Sequence, residues 1–367
     1  MRSFAISLCF VLIVASCNSE QKSIDESTTA APDTTQTQSE FSQAFERSST
    51  SSRSEMRIAF SDSLGNQTDL PIILIKGAKE GPVFTWLAGV HGSEYVPIIA
   101  TQQLLKEIDP NELSGTLMVI PIANKGSFFG WEPYVNPLDK KNLNNAFPGN
   151  PNGTVTEQIA HYITHNIIPL TDVFLDIHGG DSPEDLLPFV CYYVDENQAQ
   201  QTALAKRLSD NSGFDFSVAY PFNIDYEQPA KYAFKQAVQD GKTGVSIESG
   251  RLGLVEEEAV ALVKIGVYNM LQEMSMYQNG SGPSPKLAKL SGQIYISSTV
   301  SGILYSDLKA GDYVEEGQAL GYTTDEFGKV IEEYTAPQAG TVLYMIATPP
   351  INVDDTVMCI STKIESD

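Results

Sequence analysis

The chain has 367 residues, and 46 Asp and Glu against 23 Lys and Arg give it a formal net charge of −23. A chain of this length exceeds the usual size of one domain, so we expect two globular units and a tail. So acidic a surface argues against nucleic acid and against anionic lipid headgroups as partners.

The first residues predict a lipid anchor. Arg2 precedes an apolar run from Phe4 to Val14, and Cys17 follows closely. The pattern resembles a bacterial lipoprotein signal, which implies a signal peptide over residues 1–16 and a membrane-anchoring lipid on Cys17. The run is too short for a membrane-spanning helix, which needs about 20 apolar residues. We expect a location in the bacterial cell envelope, with the outer membrane favoured because Asn18, and not aspartate, follows the cysteine.

Residues 17–55 are predicted to form a flexible tether. Residues 18–55 include sixteen Ser or Thr and almost no aliphatic side chains. Such a segment buries too little apolar surface to offset the entropy of ordering the chain. Phe41 and Phe45 are the only indication of a short helix there.

From Met56 onwards, β-rich apolar runs alternate with helical periodicity, which indicates an α/β sheet. We predict this domain over residues 56–275, followed by a linker over residues 276–285 where Gly, Pro and Ser interrupt the pattern. The predicted strands lie near residues 57–61, 69–76, 82–90, 116–122, 172–177, 188–194, 216–220 and 243–248. The predicted helices lie near residues 95–108, 154–168, 197–210, 229–239 and 255–275.

Residues 286–367 are predicted to form a small all-β domain, because short β runs alternate with glycine-containing turns. The sequence GDYVEEGQALG followed by APQAGTV is similar to biotinyl/lipoyl-like domains, although no Met-Lys-Met hairpin is present. Two cysteines remain in the body of the chain, Cys191 and Cys359. We expect both to be buried thiols.

Three predicted strands end in residues that suit metal chemistry. One leads into His91 and Glu94, one into His178 and one into Glu248, with glycine close behind. In open α/β sheets, ligands bind beyond the carboxyl ends of the strands, and glycine lets the backbone turn sharply there. The His-x-x-Glu spacing alone also occurs by chance, but two histidines and a glutamate form a common catalytic zinc set. We interpret His91, Glu94 and His178 as ligands of one Zn²⁺ ion and Glu248 as the general base and acid.

A second histidine pair, His161 and His165, lies four residues apart on a predicted helix. Two histidines at this spacing can share a metal ion, but the sequence offers no third ligand nearby. We expect a hydrogen bond or an ion pair on the helix face, with Glu157 as a candidate partner.

Four short motifs carry a resemblance to a known family. GVHGSE, NLNNAFPG, DIHGG and ESG, in this order and before a β-rich region, resemble the succinylglutamate desuccinylase/aspartoacylase family of zinc carboxypeptidase-like hydrolases. The resemblance extends over about residues 68–363. It implies a mixed, mostly parallel sheet with helices on both faces, one zinc ion bound by His91, Glu94 and His178, and catalysis by Glu248. A zinc-bound water activated by Glu248 would attack the substrate amide.

One motif departs from the family pattern, in which Asp-Leu-Asn-Arg precedes Phe-Pro-Gly and binds a substrate carboxylate. Asn144 matches the family asparagine, whereas Asn145 occupies the arginine position. Asparagine cannot form the two-pronged charged contact of a guanidinium, so free N-acyl amino acid carboxylates are expected to bind less well. Arg251, or Lys140 and Lys141, could take the place of that arginine.

The loop before Asn142 carries four aromatic residues, namely Phe128, Phe129, Trp131 and Tyr134. We expect these side chains to pack the loop against the sheet. The alternative is that they line a substrate cleft.

The sequence therefore predicts a lipid-anchored zinc deacylase that acts on an N-acyl amino acid or a small peptide-like amide. An envelope carboxypeptidase or amidase is the alternative within enzymes. A ligand-binding lipoprotein that has lost catalysis is the alternative of another class. The missing arginine favours this ligand-binding alternative. Glu248 argues against it, because metal binding alone does not require this residue.

Overall fold

The structure is a computed structural model that describes residues 34–363, with side chains described from Phe41 onwards. The predicted signal peptide, the lipid site at Cys17 and the first part of the tether lie outside these residues. Within the described range, no helix is long and apolar enough to cross a bilayer.

Helices and strands alternate along the first two thirds of the described chain. The α-helices are α1 (Thr34–Arg47), α2 (Tyr95–Glu107), α3 (Lys125–Gly130), α4 (Val155–Tyr162), α5 (Ala199–Asp210), α6 (Ala233–Gln239) and α7 (Glu257–Glu273). The strands before α7 are β1 (Ser52–Ser61), β2 (Gln67–Lys76), β3 (Lys79–Ala88), β4 (Ser114–Ile120), β5 (Val135–Asn136), β6 (Lys141–Asn142), β7 (Val173–His178), β8 (Glu184–Leu186), β9 (Phe189–Val194), β10 (Phe216–Pro221) and β11 (Thr243–Glu248).

Up to Lys363, all the regular elements after α7 are strands. They are β12 (Ala288–Ser297), β13 (Gly302–Tyr305), β14 (Tyr313–Val314), β15 (Ala319–Thr324), β16 (Val330–Thr335), β17 (Gly340–Ile346), β18 (Pro350–Ile351) and β19 (Thr356–Lys363).

The principal sheet is mixed, and its centre is parallel. Its 13 strands include the path β1-β2-β4-β3-β7-β11-β9-β10-β12-β19-β17-β14, with β8 paired to β17. Strands β4, β3, β7 and β11 run in one direction, whereas β9 is antiparallel to β11. The carboxyl ends of β3, β7 and β11 therefore lie at the same edge of the sheet, beside the start of β9.

Helices cover both faces of this sheet, because strand side chains alternate between two apolar clusters. On one face, α2, α5 and α7 pack against residues that include Trp86 and Leu175. On the other face, α1, α4 and α6 pack against residues that include Leu74 and Phe174. Burial on both faces explains why the central strands read as continuous apolar runs. The predicted α/β fold class is confirmed.

The predicted tether is wrong over residues 34–55, because α1 and the start of β1 lie within this range. Phe41 is only 1% exposed and makes an edge-on contact with Tyr162 at 6.3 Å between ring centroids. Phe45 packs against the same apolar cluster. Burial of these two rings holds a helix whose composition is otherwise polar, an effect that a count of Ser and Thr does not capture.

The C-terminal region contains the predicted small all-β sheet and also extends the principal sheet. The small sheet has the strand order β16-β15-β13-β18, and a separate apolar cluster includes Val314, Val342 and Ile351. Strand β12 pairs in parallel with β10, and β19, β17 and β14 continue outward from it. Cys191 on β9 and Cys359 on β19 are buried free thiols, as predicted.

Gly115 is expected to tolerate no side chain. Its φ is +87°, and a Cβ there would lie 2.1 Å from the carbonyl oxygen of Pro82. Gly65 has a similar φ of +83°, but a Cβ at that position would meet nothing within 4 Å. Gly115→Ala should therefore lower the free energy of unfolding by about 1–3 kcal/mol more than Gly65→Ala, as measured by urea denaturation. Equal losses would show that the backbone contact adds no cost to the strained φ.

Candidate active site

The predicted metal ligands meet where β3 and β7 end. His91 follows the end of β3, and His178 is the last residue of β7. Glu94 stands directly before α2, at its N-cap position. His91 is 8% exposed, His178 is 5% exposed and Glu94 is 4% exposed. Two strands and one helix therefore bring these side chains together below the surface.

The carboxylate of Glu94 lies between the two imidazoles. Its Oε1 is 2.6 Å from Nδ1 of His91, and its Oε2 is 3.0 Å from Nδ1 of His178. Burial raises the pKa of the Glu94 carboxyl, but the two histidines outweigh it and lower that pKa to about 2. One ligand atom from each residue lies within 4.8 Å of the others. Two imidazole nitrogens and a carboxylate oxygen at this spacing fit a single divalent ion such as zinc.

Asp176 holds His178 from the side opposite Glu94. Nε2 of His178 lies 3.1 Å from Oδ1 of Asp176, an ion-pair contact outside hydrogen-bond geometry. Burial lowers the pKa of His178, but Asp176 and Glu94 together raise it well above its ordinary value. A carboxylate on the far nitrogen keeps the ring oriented with Nδ1 toward Glu94, as in many histidine metal sites. The sequence analysis missed Asp176, whose signal is an acidic residue inside the apolar run of β7.

Glu248 stands beside the cluster because β11 and β7 are neighbouring parallel strands. Glu248 and His178 are partners in the strand register. Together with His91 and Glu94 they line one cavity of about 290 Å³. Burial, partly offset by His178, raises the pKa of Glu248 to about 8. This carboxyl can therefore both accept and donate a proton near neutral pH.

The rest of the cavity wall is mostly aromatic and includes two further acidic residues. Tyr193 and Phe234 are among its aromatic residues, and Asp181 and Glu184 supply two further carboxylates. Burial raises the pKa of Asp181 to about 7 and raises that of Glu184 well above its ordinary value. Among residues 41–363, no lysine or arginine lines this cavity. The sequence analysis missed Asp181 and Glu184, although both closely follow the DIHGG motif.

Of the predicted substrate-binding residues, only Asn144 lines the cavity. Asn145 is exposed and lies outside the cavity lining. Arg251 is exposed too, and its guanidinium contacts Asp185 at 3.6 Å and Glu256 at 3.3 Å. The structure therefore does not bring Asn145 or Arg251 to the cavity, because two carboxylates outside it attract the arginine.

Lys140 and Lys141 do not replace the family arginine either. Nζ of Lys141 pairs with Glu157 at 2.7 Å, and Lys140 lies 4.0 Å from Glu132. Neither lysine lines the cavity.

The aromatic loop is only partly packed as predicted. Phe128 makes edge-on contacts with Tyr95 and Phe129, whereas Trp131 is 86% exposed. Tyr134 lines the cavity, and its ring centroid lies 5.5 Å from that of His91. The packing prediction is wrong for Trp131 and Phe129, which are exposed. It is also wrong for Tyr134, whose hydroxyl donates a hydrogen bond to Asp181 in the cavity wall.

The second histidine pair takes no part in this cavity. The rings of His161 and His165 lie 4.0 Å apart, and Nδ1 of His165 is 3.0 Å from the carbonyl oxygen of His161. Neither residue belongs to a potential metal cluster in the described part of the chain. The predicted hydrogen bond on the helix face is present, but its partner is backbone and not Glu157.

Comparisons with known proteins agree on one family. Residues 80–274 match the Succinylglutamate desuccinylase/Aspartoacylase catalytic domain. The chain is 30% identical over 305 residues to the N-alpha-acetyl-L-2,4-diaminobutyric acid deacetylase of Halomonas elongata, which covers 81% of this chain and 86% of that protein.

Solved structures support the fold. A succinylglutamate desuccinylase from Silicibacter sp. has a TM-score of 0.75 at 24% identity, over 85% of this chain and 95% of that one. The product-bound ectoine utilization protein from Ruegeria pomeroyi also has a TM-score of 0.75 at 24% identity, over 84% and 95% of the two chains.

The histidine cluster is expected to bind one divalent metal ion. His178→Ala removes one of three donors, whereas His165→Ala removes an exposed histidine outside the cluster and serves as the matched control. After dialysis, elemental analysis should find about one divalent ion per chain in the wild type and the control, and far less in His178→Ala. Equal metal content in all three proteins would exclude this cluster as the binding site.

Proposed function

The chain belongs to the succinylglutamate desuccinylase/aspartoacylase family, and we propose that it is a zinc-dependent deacylase of N-acylated amino acids or small peptide-like amides. Membership in the family supports amide hydrolysis. The observation that supports the zinc mechanism is the convergence of His91, Glu94, His178 and Glu248 on one cavity. The Halomonas elongata relative is named for an N-acetylated amino acid, which supports this substrate class.

The proposed mechanism assigns proton transfer to Glu248. When bound by His91, Glu94 and His178, zinc supplies Lewis-acid polarisation of the amide carbonyl and acidifies water. Glu248 accepts a proton from the attacking water as the water oxygen bonds to the carbonyl carbon. The protonated Glu248 then donates this proton to the amide nitrogen as the carbon–nitrogen bond breaks. The products are a carboxylic acid and an amine, so the proton is returned and no atom is left over.

Asn144 is proposed to orient the substrate. Its side chain lines the cavity, and its Oδ1 is buried with no hydrogen-bond partner in the described structure. An amide side chain can donate to a substrate carboxylate and accept from a substrate N–H. Because Asn145 and Arg251 lie outside the cavity, recognition of that carboxylate relies on neutral donors in this protein.

Glu248→Gln tests the mechanism. Glutamine has nearly the shape of glutamate but cannot take up a proton, so metal content should stay unchanged while kcat falls by about 100-fold to 10,000-fold. Glu258→Gln, at an exposed position in the first turn of α7, is the control and should keep wild-type activity. The substrates are N-acetyl-L-2,4-diaminobutyrate, N-acetyl-L-aspartate and N-succinyl-L-glutamate, and the released acid is quantified by chromatography.

The outcomes separate the alternatives. Wild-type turnover by Glu248→Gln would contradict the role of this residue. Bound metal without hydrolysis of any acylated amino acid or peptide would favour a ligand-binding protein that has lost catalysis. Release of C-terminal amino acids from peptides, without deacylation, would favour the envelope carboxypeptidase.

The location in the cell envelope is a separate proposal that is supported by the sequence of residues 1–17 alone. Lipid attachment requires the thiol of Cys17, so Cys17→Ser should move the protein from the membrane fraction to the soluble fraction of a Gram-negative host. Immunoblots of the two fractions measure this shift. An unchanged membrane fraction would contradict the lipid anchor.

A further inference from the structure

Two carboxylates in the cavity have no part in the proposed mechanism, namely those of Asp181 and Glu184. We propose that they bind a positively charged group of the substrate, so that the protein selects N-acylated amino acids whose side chain ends in an ammonium group. This inference rests on the proposed function, because it specifies the substrate of the same site.

The turn after β7 places both residues on one wall of the cavity. Glu184 begins β8, and its backbone N–H donates to the carbonyl oxygen of Asp181 at 3.0 Å. Asp181 is 1% exposed, and its Oδ1 accepts a hydrogen bond from the hydroxyl of Tyr134 at 3.0 Å. Tyr134 is the hydrogen-bond donor that the described residues give to this carboxyl group, which also lines the cavity. A carboxylate has two acceptor oxygens, so a ligand in the cavity can supply a further donor.

The described chain places no lysine or arginine beside these two carboxyl groups. None lines the cavity, and Arg251 contacts Asp185 and Glu256 outside it. Lys235 lies over the ring of Tyr193, 5.2 Å from its centroid, and is likewise absent from the cavity wall. Burial without a cationic partner disfavours the ionised form of a carboxyl group. A ligand that brings a positive charge favours the ionised form and is held by it, whereas a negatively charged ligand is repelled by it.

The other two acidic residues of the cavity are already engaged. Glu94 lies between the two histidines, and Glu248 stands where the proposed reaction needs a proton acceptor. An ammonium group of the substrate would therefore contact Asp181 and Glu184 while the amide faces Glu248. The aromatic wall that includes Tyr193 and Phe234 suits the methylene groups between the ammonium group and the amide of such a substrate.

A second metal ion is the other cation that these carboxylates could bind. In the described chain, His91, Glu94 and His178 form the only group of three or more residues with ligand atoms within 4.8 Å of one another. Hard divalent ions take six or more oxygen ligands, or keep several waters around few carboxylates. An ammonium group has three donors and needs only two or three acceptors. Asp181 and Glu184 therefore suit an ammonium group better than a metal ion.

Three acetylated amino acids of similar size test the inference. They are N-acetyl-L-2,4-diaminobutyrate, which carries a cation, N-acetyl-L-norvaline, which is uncharged and has the same side-chain length, and N-acetyl-L-glutamate, which carries an anion. The wild-type kcat/KM should be higher for the cation than for norvaline by about tenfold or more, and lowest for the anion. Asp181→Asn and Glu184→Gln should each reduce the ratio of cation to norvaline by about tenfold. Glu256→Gln removes a carboxylate outside the cavity and should leave this ratio unchanged.

A binding measurement separates this inference from the proposed function. Isothermal titration calorimetry compares L-2,4-diaminobutyrate with L-norvaline on the wild type and the two cavity variants. Without any turnover, tighter binding of diaminobutyrate that is lost in Asp181→Asn would support charge recognition and refute the deacylase. Equal kcat/KM values and equal affinities for the charged and uncharged compounds would overturn the inference and leave the deacylase intact. If Asp181→Asn fails to fold, Glu184→Gln decides the question alone.

Discussion

The buried carboxylate of Glu94 makes the contacts on which the candidate site depends. His91, just after β3, and His178, at the end of β7, both direct Nδ1 toward this carboxylate. A carboxylate buried without such partners would cost several kcal/mol, so the cluster is stable only when β3 and β7 keep their register. In a strand, a shift by one residue turns every side chain to the opposite face. The chemistry of the cavity is therefore tied to the pairing of the central strands.

The same register places the remaining acidic residues. Asp176 on β7 and Glu94 before α2 contact the two ring nitrogens of His178, and Glu248 on β11 is its partner in the strand register. Three carboxylates therefore surround a single histidine. The cavity concentrates negative charge in a protein whose net charge is already negative. Two histidines balance part of this charge, and the proposed metal ion would balance more of it. The carboxyl groups that neither a histidine nor a metal ion would pair with therefore determine which charge suits a ligand in this cavity.

The sequence could predict the residues whose position follows from the end of a strand. His178 and Glu248 each end a mostly apolar strand and are closely followed by glycine, so the topology of a parallel sheet brings them to one edge. Arg251 lies three residues after Glu248, but nearness in sequence does not decide where a long side chain points, and Asp185 and Glu256 direct it outward.

Asp181 and the helix α1 show two further limits of sequence reasoning. In the sequence, the polar turn that contains Asp181 resembles an ordinary loop. In the structure, the hydroxyl of Tyr134 donates a hydrogen bond to Asp181. The composition of residues 34–47 favours disorder, and only the docking of Phe41 into the apolar cluster makes a helix. In both cases a contact between distant segments decides the outcome. For α1, the two phenylalanines Phe41 and Phe45 are the only local sign of that contact.

The pairing of β12 with β10 has a consequence for the solubility of the protein. Strand β10 has β9 on one side and β12 on the other, so the C-terminal strands cover its second row of backbone donors and acceptors. A chain without those strands would present β10 as an open edge, and open edges promote association with other chains. The C-terminal region also contributes Tyr295 and Tyr344 to the cavity wall. It thus covers an edge of the principal sheet and also lines the cavity of the candidate site.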